Sequence, residues 1–166
     1  MSQKVRILIA LAVIVVLGGA VLAIEAIRGR LDLALQAQIT LEPGNIPIYL
    51  DGELVAAFAP DALDALAQVS FVDAEEGKTQ EGYLLREVLL SYLIEETFAA
   101  DTRITVSSSV SGKSAQLTWA EVSEAENMVL FDLSSRGTLK LVSRLERLDT
   151  RDEWVQDVDR IEVTNP

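Results

Sequence analysis

Polar and apolar positions divide this chain into two unequal parts. Residues 7–24 (ILIALAVIVVLGGAVLAI) form eighteen consecutive positions without a charge. At about 1.5 Å per helical residue, such a run is just long enough to cross a hydrocarbon core. Residues 28–38 (RGRLDLALQAQ) continue as a helical tether, and Leu41-Glu42-Pro43-Gly44 breaks the pattern. After that the periods are short. Ile46–Leu50 and Glu53–Ala57 flank Asp51-Gly52, a pair suited to a type I′ hairpin turn, which needs positive φ at both central positions. Pro60-Asp61 opens a short helix with Leu63 and Leu66 on one face, and Val69–Val72 reads as a strand. Asp73–Glu81 is polar and loop-like. From Gly82 the tract YLLREVLLSYLIEETF carries Leu84, Leu85, Val88, Leu89, Tyr92, Leu93 and Ile94 at helical spacing, which predicts the longest helix of the domain.

The remaining elements are strands and short turns. Arg103–Ser108 and Ser114–Leu117 are expected to pair around Ser111-Gly112-Lys113. The letters Gly112-Lys113-Ser114 also end a phosphate-binding loop. That loop needs glycine where Ser107 stands, and a helix starting at its Lys-Ser end. The capping box Thr118-x-x-Glu121 comes four residues too late for that helix, so the hairpin is the better reading. Met128–Leu133 reads as a buried strand and Thr138–Ser143 as a strand with one wet face, joined by a turn over Ser134–Gly137. A second capping box, Thr150-x-x-Glu153, predicts a short helix through Trp154 and Val155, and Arg160–Thr164 closes as a strand. Irregular alternation of strands and short helices predicts an α+β class, with one mixed-sheet domain over 43–166, an apolar segment over 1–27 and a tether over 28–42.

Charge narrows the partners. The chain carries 14 basic and 26 acidic residues; residues 1–30 hold four of the former and one of the latter, leaving 10 against 25 in the rest. Such a domain repels nucleic acid and anionic headgroups. The apolar segment is flanked by Lys4 and Arg6 before it and by Glu25, Arg28 and Arg30 after it. Equal basic counts do not orient it by themselves. The short leading segment favours a cytoplasmic N-terminus and an extracytoplasmic domain, as a single-pass anchor in lipid through residues 7–24. A cleaved signal peptide, with Val21-Leu22-Ala23 as its cleavage site, is the competing reading, and a cytoplasmic domain the third. Gly18-Gly19-Ala20 would let a neighbouring helix approach closely, which points to other membrane protein subunits as partners.

The chain has no Cys and no His, which removes thiol nucleophiles, imidazole bases and the usual zinc ligands together. Acidic groups at Glu75-Glu76, Asp149/Asp152/Glu153 and Asp157/Asp159 lack calcium-loop spacing and read as solvated charge. Arg144, Arg147 and Arg151 are expected to pair locally with Glu146, Asp149 and Asp152. Trp119 and Trp154 read as core or rim anchors.

The order of pieces resembles a known family. Gly82-Tyr-Leu-Leu-Arg-Glu-Val-Leu-Leu resembles the G-x-x-L-x-x-L-L segment of molybdopterin-binding domains of the sulfite-oxidase type. Ile104-Thr-Val-Ser, Ala115-Gln-Leu-Thr-Trp-Ala-Glu-Val, Gly137-Thr-Leu-Lys-Leu-Val and Glu153-Trp through Ile161-Glu-Val163 follow in the family's order, over roughly residues 46–164. The resemblance implies that fold. It also implies a cysteine ligand to molybdenum upstream of the Gly-x-x-Leu segment, yet Val69–Glu81 holds none. The family's His and Arg contacts to the pterin phosphate reduce here to Arg103, Arg136, Lys140 and Arg144 as possible contributors, and the usual Asp-Gly-Tyr turn is Ser111-Gly112-Lys113. The expectation is therefore a reduced, cysteine-free relative with no catalytic residues, no cofactor and no metal, acting as an accessory or scaffold subunit. The alternatives are a molybdopterin-dependent oxidoreductase, or a small-ligand-binding domain that keeps the ancestral pocket.

Overall fold

The computed structural model describes residues 41–166. The expected span at 7–24, most of the tether and the small residues Gly18, Gly19 and Ala20 lie outside the described residues. Among the described residues, no helix is long and apolar enough to cross a membrane.

The class is α+β, built on two sheets. Among the described residues, nine strands run in chain order: β1 (Ile46–Leu50), β2 (Glu53–Phe58), β3 (Gln68–Val72), β4 (Thr79–Leu84), β5 (Arg103–Ser108), β6 (Lys113–Thr118), β7 (Leu130–Leu133), β8 (Leu139–Val142) and β9 (Arg160–Thr164). Short α-helices α1 (Leu85–Leu90) and α2 (Trp119–Ser123) follow β4 and β6. The first sheet has the order β2-β1-β9-β5-β6 and the second β3-β4-β7-β8. The β1–β9 pair is parallel, and every other ladder is antiparallel.

Local chemistry explains the hairpins. Asp51 (φ 50°) and Gly52 (φ 85°) supply the two positive φ values of the β1–β2 turn. Arg103–Ser108 pairs with Lys113–Thr118 residue by residue, so the Gly112-Lys113-Ser114 stretch is a hairpin. The first capping box also forms: Thr118 Oγ1 accepts from the Glu121 amide, and the Glu121 carboxylate accepts from the Thr118 amide at 2.8 Å. Ile48, Ile104, Val106, Leu130, Phe131, Leu139, Leu141, Ile161 and Val163 are fully buried and come from both sheets. The alternation of the strands thus delivers one continuous core.

Two expectations fail for a shared reason. The tract after Gly82 is not one long helix. Residues Gly82–Leu84 complete β4, the helix covers only Leu85–Leu90, and a 3-10 turn follows at Glu95–Thr97. The expected loop over Asp73–Glu81 likewise enters β4 at Thr79. Tertiary pairing overrides helical period here. Gly82 opposes Val69 on β3, and Tyr83 opposes Gln68 on β3 and Phe131 on β7. Tyr83 also donates its hydroxyl to Asp64 at 2.6 Å and accepts from Gln68 at 3.1 Å. The bond to Asp64, followed by burial, raises the Tyr83 pKa above its usual value. The strand approach is very close. A Cβ on Gly82 would lie 2.0 Å from the Phe131 carbonyl oxygen.

The second capping box does not nucleate a helix. Thr150 bonds to Glu153 at 3.0 Å, and the chain makes one turn. Val155 then leaves it, because its carbonyl accepts from Leu141 at 2.8 Å, while Val158 donates to Leu139 at 2.9 Å. The free edge of β8 has claimed that segment.

Gly82→Ala is expected to destabilise the domain by about 3 kcal/mol or more, since the contact is with backbone that cannot swing aside. Gly112→Ala, in open space at φ 66°, should cost only about 1 kcal/mol from backbone strain. Urea denaturation of both variants measures the contrast, and equal midpoints would refute the close-approach account.

Candidate functional site

A polar thread crosses one face of the second sheet. Asp73, at the start of the β3–β4 turn, is buried, and its Oδ1 accepts from the Glu76 amide at 2.7 Å. Its Oδ2 accepts from Gln80 Nε2 on β4 at 2.8 Å. Gln80 Oε1 in turn accepts from Lys140 Nζ on β8 at 3.1 Å, and that ammonium pairs with Asp132 on β7 at 2.7 Å. Asp132 and Lys140 are direct cross-strand partners. The Lys140 ammonium also stands 4.8 Å from the centre of the Trp154 ring. The Glu76 amide is the main influence holding the Asp73 carboxyl below the usual carboxylate range, and burial opposes it.

Beside this thread lies a cleft of about 160 Å³, lined by Asp132, Arg136, Lys140, Arg151, Trp154 and Asp157 with neighbouring small polar side chains. Its wall is fixed from outside. The Arg151 amide donates to Glu75 at 3.0 Å, and its guanidinium pairs with Glu76 at 3.1 Å. Glu76 also pairs with Lys78 at 2.8 Å, and these two cations lower its pKa, Lys78 foremost. Trp154 is 1% exposed, yet its indole Nε1 is buried without a hydrogen-bond partner. Two neighbouring grooves, of about 430 and 350 Å³, share Gly137 with each other; the larger also shares Arg136 and Asp157 with the cleft.

The four cations expected as phosphate contacts do not converge. Arg136 and Lys140 line the cleft. Arg103 lies on β5 in the other sheet, opposite Thr118 and Thr164. Arg144 follows β8 and is exposed, with its amide bonded to the Asn127 carbonyl at 2.8 Å. The local pairing expected in the 144–152 stretch is also replaced by distant partners. Arg147 reaches Glu121 at 2.6 Å and Arg151 reaches Glu76. Among the described residues, no group of three or more acidic side chains is placed to hold a metal ion. Trp119 is half-buried and stacks on Phe98 at 4.0 Å.

Sequence reading missed Asp73, Gln80 and Asp132 as members of one network. One signal was present: Asp132 and Lys140 are a lone acid and a lone base placed symmetrically about the Ser134–Gly137 turn. Their pairing follows from the hairpin register, Leu133 to Leu139 and Asp132 to Lys140. Asp73 and Gln80 carried no comparable signal, because their burial depends on strands distant in sequence. No protein-family model matches this chain, and no curated protein matches it.

Lys140→Met is expected to cost about 2 kcal/mol, because it leaves the Asp132 carboxylate and the Gln80 carbonyl unpaired in a partly buried setting. Adding Asp132→Leu should recover part of that loss, and a double-mutant cycle in urea measures the coupling. Strict additivity would remove the thread as a unit. Asp73 gives a pH test. Its folded pKa lies below the ordinary 3.8, so its contribution is complete above that value and is lost as pH falls through the depressed one. Wild-type stability should therefore fall more steeply below about pH 4 than that of Asp73→Asn, which should be weaker at pH 7. Parallel pH profiles would contradict this.

Proposed function

We propose that this chain is a membrane-tethered, non-catalytic accessory module, in which an acidic α+β domain is held at the outer membrane face as a docking platform for other subunits. One observation carries the reading: the four groups of the polar thread, Asp73, Gln80, Lys140 and Asp132, are committed to one another. A general acid, base or nucleophile must be free to exchange its proton or attack a substrate. Lys140, Asp132, Gln80 and Asp73 instead hold three strands together. Outer strands β2, β3 and β6 supply sheet edges of the kind that partners extend. Val72, at the end of β3, is 62% exposed, as an apolar contact would require.

The molybdopterin reading fits poorly. Within Val69–Glu81 the buried polar side chains are Asp73 and Gln80, both already bonded within the thread. A small-ligand-binding domain is the better second reading, and the unpartnered Trp154 indole beside the cleft favours it.

The tagged full chain, solubilised from its native membranes in mild detergent, is expected to retain at least one protein partner at fixed stoichiometry, read by mass spectrometry. Recovery as a free monomer with nothing retained would overturn the accessory reading.

A further inference from the structure

The cleft beside Trp154 has a chemistry that selects among ligands, and its charges can be counted pair by pair. Lys140 is matched by Asp132, and Arg151 by Glu76. Two charged lining residues remain, Arg136 and Asp157, one of each sign. Neither side chain makes an ion pair, with the other or with any described residue. Arg136 is exposed and anchored through its backbone, its amide donating to Ser134 Oγ at 3.3 Å. Asp157 is held at φ 53° just before Val158, whose amide is bonded to β8.

Two hydrogen-bond donors complete the set. Trp154 lines this wall, and its indole Nε1 is buried without an acceptor, a state that costs about 1–3 kcal/mol for an ordinary buried polar group. The Lys140 ammonium has three N–H donors, of which Asp132 and Gln80 take two.

From this arrangement we propose that the cleft binds a small zwitterion of the amino-acid type. Its carboxylate lies toward Arg136, the Trp154 indole and the remaining Lys140 donor, and its ammonium toward Asp157. The proposal rests on the small-ligand reading and is independent of the tether. At about 160 Å³ the cleft has room for the smallest members of that class, such as glycine or alanine. Guanidinium and carboxylate favour each other through paired, charge-assisted hydrogen bonds, and a buried indole donor adds direction. Acetate would leave Asp157 unanswered, and methylammonium would leave Arg136 and the indole unanswered.

The chain contains only two tryptophans, Trp119 and Trp154, so its indole N–H signals form a clean probe. The ¹⁵N-labelled full chain would be titrated with alanine, acetate and methylammonium at constant ionic strength, with Trp119→Phe assigning the signals. Alanine is expected to shift the Trp154 indole proton saturably, with a Kd in about the millimolar range. Acetate should bind at least about fivefold more weakly, and methylammonium should leave the indole unmoved. Arg136→Gln and Asp157→Asn should each weaken alanine by about fivefold or more without unfolding the domain. Both sites are at least partly open, and asparagine tolerates the positive φ at 157. Equal binding of acetate and alanine, or an unchanged alanine Kd in Asp157→Asn, would overturn the zwitterion assignment while leaving a ligand site in place. No saturable shift with any of the three would overturn the small-ligand reading as well.

Discussion

The approach of β4 to β7 at Gly82 is the constraint on which the second sheet depends. A Cβ there would sit 2.0 Å from a backbone oxygen, far inside contact distance, so only glycine lets the two strands meet. Once they meet, Tyr83 lies opposite Phe131, and β7 is placed between β4 and β8. That placement brings Gln80, Asp132 and Lys140, from three strands, onto one face. The thread and the cleft are thus consequences of one close backbone contact.

The thread is better understood as a specifier than as a source of stability. Desolvating a partly buried ion pair offsets much of its Coulomb gain, and an apolar replacement of both partners often does as well. Its directional bonds distinguish one register from the next. A shift of one residue between β7 and β8 would turn Lys140 to the opposite face from Asp132 and Gln80. The correct register places Arg136, in the β7–β8 turn, among the residues that line the cleft.

The same commitment of polar groups separates the two functional readings. Groups that hold strands together are poorly suited to chemistry, which supports a binding or scaffolding role. The groups left over are few: one guanidinium, one carboxylate and one indole N–H at a single cleft. The chain as a whole is strongly acidic, with a formal net charge of −12. The long-range pairs of Arg147 with Glu121 and of Arg151 with Glu76 tie the chain before Trp154 to distant segments, while the cleft lining itself falls within residues 132–157.

By itself the sequence determined the features that local physics controls. Asp51-Gly52 can turn a hairpin whatever surrounds it, because its backbone preference is intrinsic. The Thr118–Glu121 capping box satisfies its amides within four residues. The alternation in Thr138–Ser143 and Arg160–Thr164 needs only a core to face, and the α+β class follows from the number of such pieces. The length of the helix after Gly82 was not legible. Its helical period was genuine over Leu85–Leu89, but Gly82–Leu84 were taken by β3 and β7, whose hydrogen bonds no local window contains. Thr150–Glu153 carried a valid cap, yet the open edge of β8 drew Val155 away. Of the residues that line the cleft, Arg136 and Lys140 had been singled out only through the family resemblance. Arg103 and Arg144 were equally cationic, and only the folded sheets placed them elsewhere. Charge type is a property of the residue, whereas convergence is a property of pairings that span the whole chain, and these the tertiary structure alone decided.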